Sequence, residues 1–414
     1  MAIILLLLIY LIFISLGLPD SILGSSFPAI AENLSISVDQ AGYISMVICV
    51  CTIISATFSD KLISKIGTKW TVSISIILTV IGLIIFSFTT NSTIWMFYLA
   101  ALPLGLGAGC IDSALNNYVA LHYKAIHMNW LHCCWGIGAS TSPLIIGQFI
   151  DSANHSSGWN RGVQVVALIQ LGICVLSFIS IPLWEKVEKN FEKTLEKTEE
   201  KLVKTPTPKS LFRNPVFYLA ISGFFLYCSF ELTCGFWSGN YFYYAWNVDT
   251  SKAATLTSLF YIGIAVGRFV CGIISLKVKE KGMIRLGSAL LLVGTICMMM
   301  PFSIYFGIVG MLLCGLGCSP IYPAIIKMTP YRFSKSLSQK VMGLQMALAY
   351  CGNLIVSPLY GFICKQFNNA FFTLPYLVFT LASLMIVVHE VSNAILKKRD
   401  LSLTEEEKKE YSTI

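Results

Sequence analysis

The chain has 414 residues, of which 56% are hydrophobic and only 12% charged, and its formal net charge at pH 7 is +8. A soluble domain keeps about a quarter of its residues charged because its surface faces water, so this composition excludes an ordinary soluble enzyme or binding module. The mean hydropathy of +0.73 and the long apolar blocks, such as residues 70–91 and 160–184, indicate helices that span a bilayer.

The first apolar block covers residues 2–27. It lacks the basic start of a secretory signal, its apolar run is too long for a signal core, and it contains Asp20, so we predict a membrane helix that is kept in the mature protein. Pro19 removes one helical hydrogen bond, and Gly17 and Gly24 loosen the helix around it. We expect a break that exposes polar groups to a central cavity, with a plain kink and a structural Asp as the alternative.

Twelve apolar blocks follow one another along the chain, and we predict one membrane helix for each. Their centres lie near residues 14, 48, 81, 106, 141, 172, 226, 263, 291, 316, 350 and 381. A hydrophilic run rich in Lys, Glu, Thr and Pro separates the sixth from the seventh and has too little apolar surface to form a core. The predicted organisation is an N-terminal six-helix bundle (1–184), a cytoplasmic linker (185–213), a C-terminal six-helix bundle (214–395) and a cytoplasmic tail (396–414).

The basic residues predict how the chain is oriented. If both termini are cytoplasmic, 25 of the 29 Lys and Arg fall on inner segments and only Arg161, Lys252 and Lys365 on outer loops. This positive-inside bias predicts a multi-pass protein of the cell membrane with both termini in the cytoplasm. The net positive charge then faces anionic lipid, and no nucleic acid partner is needed to explain it. The 14 cysteines are scattered through apolar segments without zinc-site spacing, so we expect neither a metal nor a cofactor.

Ionisable side chains at membrane depth are costly, so each needs a partner, a cavity or a role. Asp20, Asp112, Glu231 and Arg268 fall clearly inside predicted spans, and His132 lies near a span end. Desolvation disfavours the charged form of a lone carboxylate, which permits protonation near neutral pH. Asp20 and Asp112 are therefore the candidates for proton coupling, and the spacing does not decide between them.

On the fourth predicted helix, Gly105, Gly109, Asp112 and Asn116 share one face. The glycines allow a neighbouring helix to approach closely, while Asp112 and Asn116 offer polar contacts to that neighbour or to a ligand.

On the seventh span, Glu231 is followed by Trp237, and an aromatic ring near a carboxylate suits a sugar. A structural Glu and an interfacial aromatic belt are the alternatives. Gln345 in the eleventh span is a further candidate for substrate contact. Arg268 could pair with an acid or with a substrate oxygen, but we favour a structural latch near the cytoplasmic end of the eighth helix.

The inner loop 59–69, which contains Ser59-Asp60-Lys61 and Gly67-Thr68-Lys69, resembles the loop motif of the major facilitator superfamily. That resemblance implies two pseudo-symmetric six-helix bundles, with Asp60 as a further structural latch.

Within the superfamily, the chain resembles the fucose permease-like sugar:proton symporters. The matching segments are Asp20-Ser21-Ile22-Leu23, then Asp112-Ser113-Ala114-Leu115-Asn116 with Asp112 for the usual Glu, and Asn129-Trp130-Leu131-His132 with His132 for the usual Gln, followed by Gly136, Gly138 and Pro143. The resemblance implies that Asp20 and Asp112 carry the proton and touch the substrate, and that Asn116 and His132 are polar contacts.

The leading hypothesis is a monomeric secondary transporter in the bilayer that moves protons together with a monosaccharide or similar small polar solute. A proton-driven exporter is the main alternative. A membrane enzyme would need paired catalytic groups at one face, where the outer loops offer only scattered candidates, namely Asp39, Asp151, His155 and Asp249. A sensor that has lost transport would have no need of the membrane acids, which are present.

Overall fold

The computed structural model describes residues 2–123, 125–187, 215–275, 277–333 and 335–402. These residues are almost wholly helical, and the one β-bridge among them joins Asp151 and Ser157. The predicted all-α membrane fold is therefore confirmed. In chain order the helices are α1 (Ala2–Asp20), α2 (Ile22–Leu34), α3 (Gln40–Ser87), α4 (Trp95–His122), α5 (Ala125–Phe149), α6 (Trp159–Ile179), α7 (Pro215–Trp246), α8 (Thr250–Ile274), α9 (Glu280–Met299), α10 (Ile304–Arg332), α11 (Lys335–Gln366) and α12 (Leu374–Ser402).

Two of the predicted spans lie in the single long helix α3. Gly67 interrupts this helix with φ 81° and ψ 162°, a backbone conformation that essentially only glycine adopts without strain. The chain turns back at this point, so α3 supplies both the second and the third span. With α1 and α2 forming the first span together, each half of the described chain contains six spans, as predicted.

The first span is broken beside its proline. Pro19 lies in α1, which ends at Asp20, and α2 begins at Ile22 after a one-residue turn. The hydroxyl of Ser142 on α5 donates to the carbonyl of Leu18 at 2.6 Å, so a backbone acceptor next to the break is satisfied by a neighbouring helix. The predicted break is confirmed.

Apolar surface covers the periphery of the described chain. Within the described residues, nine helical segments are long and apolar enough to cross a membrane, and α5 and α11 are not among them. Both of these helices lie between the halves, α5 against α1 and α8, and α11 against α3 and α7. Both helices also expose apolar side chains, such as Leu144 on α5 and Leu359 on α11. Large apolar side chains such as Leu168, Val293 and Val387 are exposed on the outside, where a bilayer would cover them.

The N-terminal half (α1–α6) and the C-terminal half (α7–α12) meet along α2 and α7, α3 and α11, and α5 and α8. We call the face that contains residues 35–39, 150–158 and 247–249 the outer face, and the opposite face the inner face. Residues 188–213 of the predicted linker and 403–414 of the predicted tail lie outside the described residues. Helix α12 continues to Ser402, beyond the predicted end of the bundle at residue 395.

Candidate functional site

Asp20 lies at the break in the first span and contacts a residue at the boundary between the halves. Its Oδ2 accepts a hydrogen bond of 2.7 Å from Nε1 of Trp135 on α5. The Trp135 ring meets Tyr261 of the C-terminal half edge-on, with 6.1 Å between ring centroids. Asp20 is exposed by surface area, yet it also lies within electrostatic range of Tyr261 and Tyr350 from the C-terminal half. Asp20 therefore lies beside the boundary between the halves.

Asp112 is the second carboxylate in this region. It is half-buried on α4, and its Oδ1 accepts a hydrogen bond of 2.8 Å from Nδ2 of Asn116, one helical turn away. Asp112 lies within electrostatic range of Asp20 and of Arg268. The Oδ1 of Asn116 is buried and has no hydrogen-bond partner among the described residues. The amide oxygen of Asn116 is thus available to accept a hydrogen bond from a ligand.

His132 joins this region from α5. Its ring packs edge-on against Phe13 of α1 at 5.5 Å and against Tyr322 of α10 at 5.8 Å, so it also lies between the halves. Tyr322 and Tyr350 are both within electrostatic range of Asp112. Four residues predicted from the sequence, on three helices of the N-terminal half, therefore lie at or next to this boundary, and Tyr322 is near both Asp112 and His132. We call them the central cluster: Asp20, Asp112, Asn116 and His132.

Arg268 approaches the central cluster from the C-terminal half. Its Nη2 lies 3.4 Å from Oε1 of Glu231, and the two side chains are only 8% and 11% exposed. Its Nη1 donates to the backbone oxygen of His132 at 3.3 Å, and its guanidinium carbon lies 5.4 Å from the centre of the Trp135 ring. Arg268 therefore forms an ion pair with Glu231 of its own half and also contacts His132 and Trp135 of the N-terminal half.

The carboxylates of this region differ in whether their partner is a cation or a neutral hydrogen-bond donor. Glu231 is paired with a buried cation, whereas neither Asp20 nor Asp112 forms an ion pair with any described residue. A neutral N–H donor stabilises a carboxylate less than a cation does. Asp20 and Asp112 can therefore take up a proton without leaving a buried cation unpaired, while protonation of Glu231 would do so.

Three of the predicted site residues lie away from the central cluster. Trp237 is fully buried in the C-terminal half, where its Nε1 donates to the backbone oxygen of Ser357 at 2.9 Å. Gln345 is also fully buried in that half and accepts a hydrogen bond of 3.0 Å from Thr329. Asp60 is exposed near the inner end of the second span.

Trp135, Tyr261, Tyr322 and Tyr350 are not among the residues predicted from the sequence. A signal for Trp135 existed, because it follows His132 by three residues and so shares its helix face. The tyrosines carried no such signal, since they come from three different helices of the other half.

The two halves are also joined at the outer face. Nζ of Lys365 lies 3.1 Å from Oδ2 of Asp39, whose side chain is only 3% exposed. The hydroxyls of Ser156 and Thr250 lie 2.7 Å apart. Each pair takes one residue from each half, so the outer ends of the bundles are held together in this conformation.

Comparison with known proteins agrees with this architecture. The family model for the Major Facilitator Superfamily matches residues 9–246 and 219–409. "Bypass of stop codon protein 6" of Saccharomyces cerevisiae is 24% identical over 387 residues, which is 85% of this chain and 75% of that protein. "Glucose/mannose transporter GlcP" of Bacillus subtilis is 23% identical over 367 residues, which is 86% of this chain and 87% of that protein.

Among solved structures, the crystal structure of a D-xylose-proton symporter has a TM-score of 0.70 at 13% sequence identity, over 92% of this chain and 96% of that chain. This likeness concerns the fold alone. The matched family model confirms the resemblance inferred from the loop motif. The chain belongs to the Major Facilitator Superfamily, and it is a multi-pass membrane transporter rather than an enzyme.

Proposed function

We propose that this transporter is a proton-coupled symporter of a monosaccharide or similar small polyhydroxylated solute. The observation that carries the proposal is the placement of Asp20 and Asp112, which lie between the halves, within electrostatic range of each other, and are held by neutral donors. Two like charges in such a region disfavour each other, so the pair favours uptake of at least one proton. A proton bound there is available to be moved together with a solute.

The polar groups of the central cluster suit a sugar. A sugar hydroxyl that donates to the buried Oδ1 of Asn116 would satisfy an acceptor whose isolation costs about 1–3 kcal/mol. Aromatic side chains of both halves, His132 and Tyr322, meet in the same region with ring centroids 5.8 Å apart, and aromatic rings suit the apolar face of a sugar. The similarity to a glucose/mannose transporter and to a D-xylose-proton symporter supports the same class by analogy.

Alternating access completes the proposed mechanism. The central cluster lies between two six-span halves, and contacts such as Asp39–Lys365 join the halves at the outer face. Loading from outside requires these contacts to separate while the halves rock about the cluster. We also propose that the protein acts as a monomer in the cell membrane with both termini in the cytoplasm, as the distribution of Lys and Arg favours.

The test is solute accumulation in proteoliposomes that contain the purified protein and carry an imposed pH gradient. We expect at least one of D-glucose, D-mannose, D-galactose and D-xylose to accumulate, and a protonophore to abolish the accumulation. A dialanine peptide serves as the non-sugar control. Accumulation of the peptide alone would contradict the sugar class. Sugar movement that only equilibrates, whatever the gradient, would contradict proton coupling, and proton-driven extrusion would show an exporter.

A further inference from the structure

Trp135 contacts charged groups of both halves through different parts of one side chain. Its indole N–H donates to Asp20 of the N-terminal half at 2.7 Å. The face of the same ring lies 5.4 Å from the guanidinium carbon of Arg268 in the C-terminal half, within the range of a cation–π contact. Arg268 is in turn paired with Glu231. A continuous series of contacts therefore runs from Asp20 to Glu231 through Trp135.

We propose that Trp135 is a positioning residue that links the protonation of Asp20 to the Arg268–Glu231 ion pair, an inference that rests on the proton-coupled transport proposed above. A hydrogen bond to an ionised carboxylate is roughly twice as strong as one to a neutral group. Protonation of Asp20 therefore weakens its hydrogen bond with the indole N–H. The Trp135 ring is then free to move, which weakens its contact with the guanidinium of Arg268. The state of a carboxylate in one half thus changes the ion pairing in the other half.

Other titratable groups also interact electrostatically with Asp20, so the contribution of Trp135 has to be distinguished from theirs. The titratable groups in electrostatic range come from three further helices: Asp112 on α4, Tyr261 on α8 and Tyr350 on α11. Arg268 also acts directly on Asp112 through space. Trp135 is distinguished by touching Asp20 and Arg268 at once. A direct electrostatic route through Asp112 would be unaffected by loss of the indole N–H.

The packing of α1 on α5 does not require the Trp135 side chain. A Cβ atom added at Gly17 would meet the backbone oxygen of Trp135 at 2.0 Å, so these helices approach through glycine and main chain. Replacement of the indole by a smaller ring leaves that main-chain contact in place. Trp135→Phe is therefore a substitution that removes the N–H donor while it keeps an aromatic face and the helix contact.

The experiment compares Trp135→Phe and Trp135→Leu with Trp159→Phe in proteoliposomes, using a sugar that the wild-type protein accumulates. Trp159 is the matched control, because its Nε1 donates to the amide oxygen of Asn33 at 3.1 Å, near the outer end of the N-terminal half. Counterflow, which exchanges labelled for unlabelled sugar without net proton movement, is measured beside accumulation driven by a pH gradient, over a range of pH.

For Trp135→Phe, we expect counterflow close to the wild-type rate but accumulation reduced about tenfold, as for one lost hydrogen bond to a charged group. Its accumulation should depend less steeply on pH, Trp135→Leu should lose accumulation as well, and Trp159→Phe should match the wild type. The combination of Trp135→Phe with Asp20→Asn should be no worse than Asp20→Asn alone, because both remove the same link.

Three results would overturn the role of Trp135. One is wild-type accumulation with an unchanged pH profile in both Trp135 variants. Another is a proportional loss of counterflow and accumulation, which indicates a purely structural residue. The third is full additivity with Asp20→Asn. A wild-type protein whose sugar transport ignores the pH gradient would instead refute the proposed function, so the two failures are distinguishable.

Discussion

The residues of the central cluster differ in whether their polar atoms are satisfied. Asn116 donates to Asp112 through Nδ2, but its buried Oδ1 has no partner among the described residues. An unpaired buried acceptor is costly, and a solute hydroxyl would relieve that cost. This makes Asn116 the residue for which direct solute contact is best supported.

Replacement of Asn116 by Ala should therefore weaken sugar binding. We expect the KM for the transported sugar to rise by about tenfold, as for one lost hydrogen bond in a buried site. Uptake kinetics in proteoliposomes provide the measurement. Asn117→Ala is the matched control, because Asn117 is the exposed neighbour on the same helix. Equal KM values for Asn116→Ala and the wild type would exclude the contact.

The Arg268–Glu231 pair should behave as a buried ion pair. Removal of one partner leaves an uncompensated charge, which costs about 3–5 kcal/mol, whereas removal of both partners costs far less. We expect Glu231→Gln to lower the melting temperature of the purified protein clearly. The double variant Glu231→Gln with Arg268→Gln should recover part of the loss. Independent, additive effects of the two substitutions would show that the residues do not stabilise each other.

At the scale of helices, Gly67 interrupts α3 with a backbone conformation that favours glycine. Its φ of 81° turns α3 back on itself, and a Cβ there would be strained by about 1–3 kcal/mol even though no atom lies within 4 Å of it. We expect Gly67→Ala to lower the melting temperature. Gly172→Ala is the control, since that site is equally open but lies inside the regular helix α6. A Gly67→Ala variant as stable as Gly172→Ala would show that the turn tolerates a side chain.

Helices and their interruptions could be predicted from the sequence because they depend on local signals. The length of the apolar blocks predicted the spans, and Pro19 predicted the break in the first span. The four members of the central cluster could be selected because ionisable or amide side chains are conspicuous in apolar segments. The rotation of α7 could not be predicted, since polar and aromatic residues occur all round it, and Trp237 faces the interior of its own half. Contacts such as that of Trp135 with Arg268 depend on how the halves meet, which no local pattern encodes.

At the scale of the whole molecule, contacts at the outer face join the two halves in this conformation. The proposed transport cycle requires a second conformation in which these contacts are broken. Ser156 and Thr250 belong to different halves, with hydroxyls 2.7 Å apart, which places two cysteines at these positions within reach of a disulfide. If the halves must separate there for each transport cycle, a bond across this boundary stops transport.

We therefore expect the double variant Ser156→Cys with Thr250→Cys to lose sugar transport on oxidation and to regain it on reduction. The control is Ser73→Cys with Ser177→Cys, whose parent hydroxyls are also 2.7 Å apart but lie within the N-terminal half. Uptake before and after treatment with dithiothreitol gives the comparison. Full transport by the oxidised Ser156–Thr250 pair would mean that the outer ends do not separate.

The most direct test of the proposed symport is sugar-driven proton uptake by proteoliposomes, recorded as a pH rise in a weakly buffered external medium. The wild-type protein should take up protons when a transported sugar is added. Asp112→Asn should still bind the sugar but take up none, and Asp20→Asn should keep exchange with weakened accumulation. Asp151→Asn, at an exposed site in an outer loop, should match the wild type. Wild-type proton uptake by both Asp112→Asn and Asp20→Asn would contradict the account.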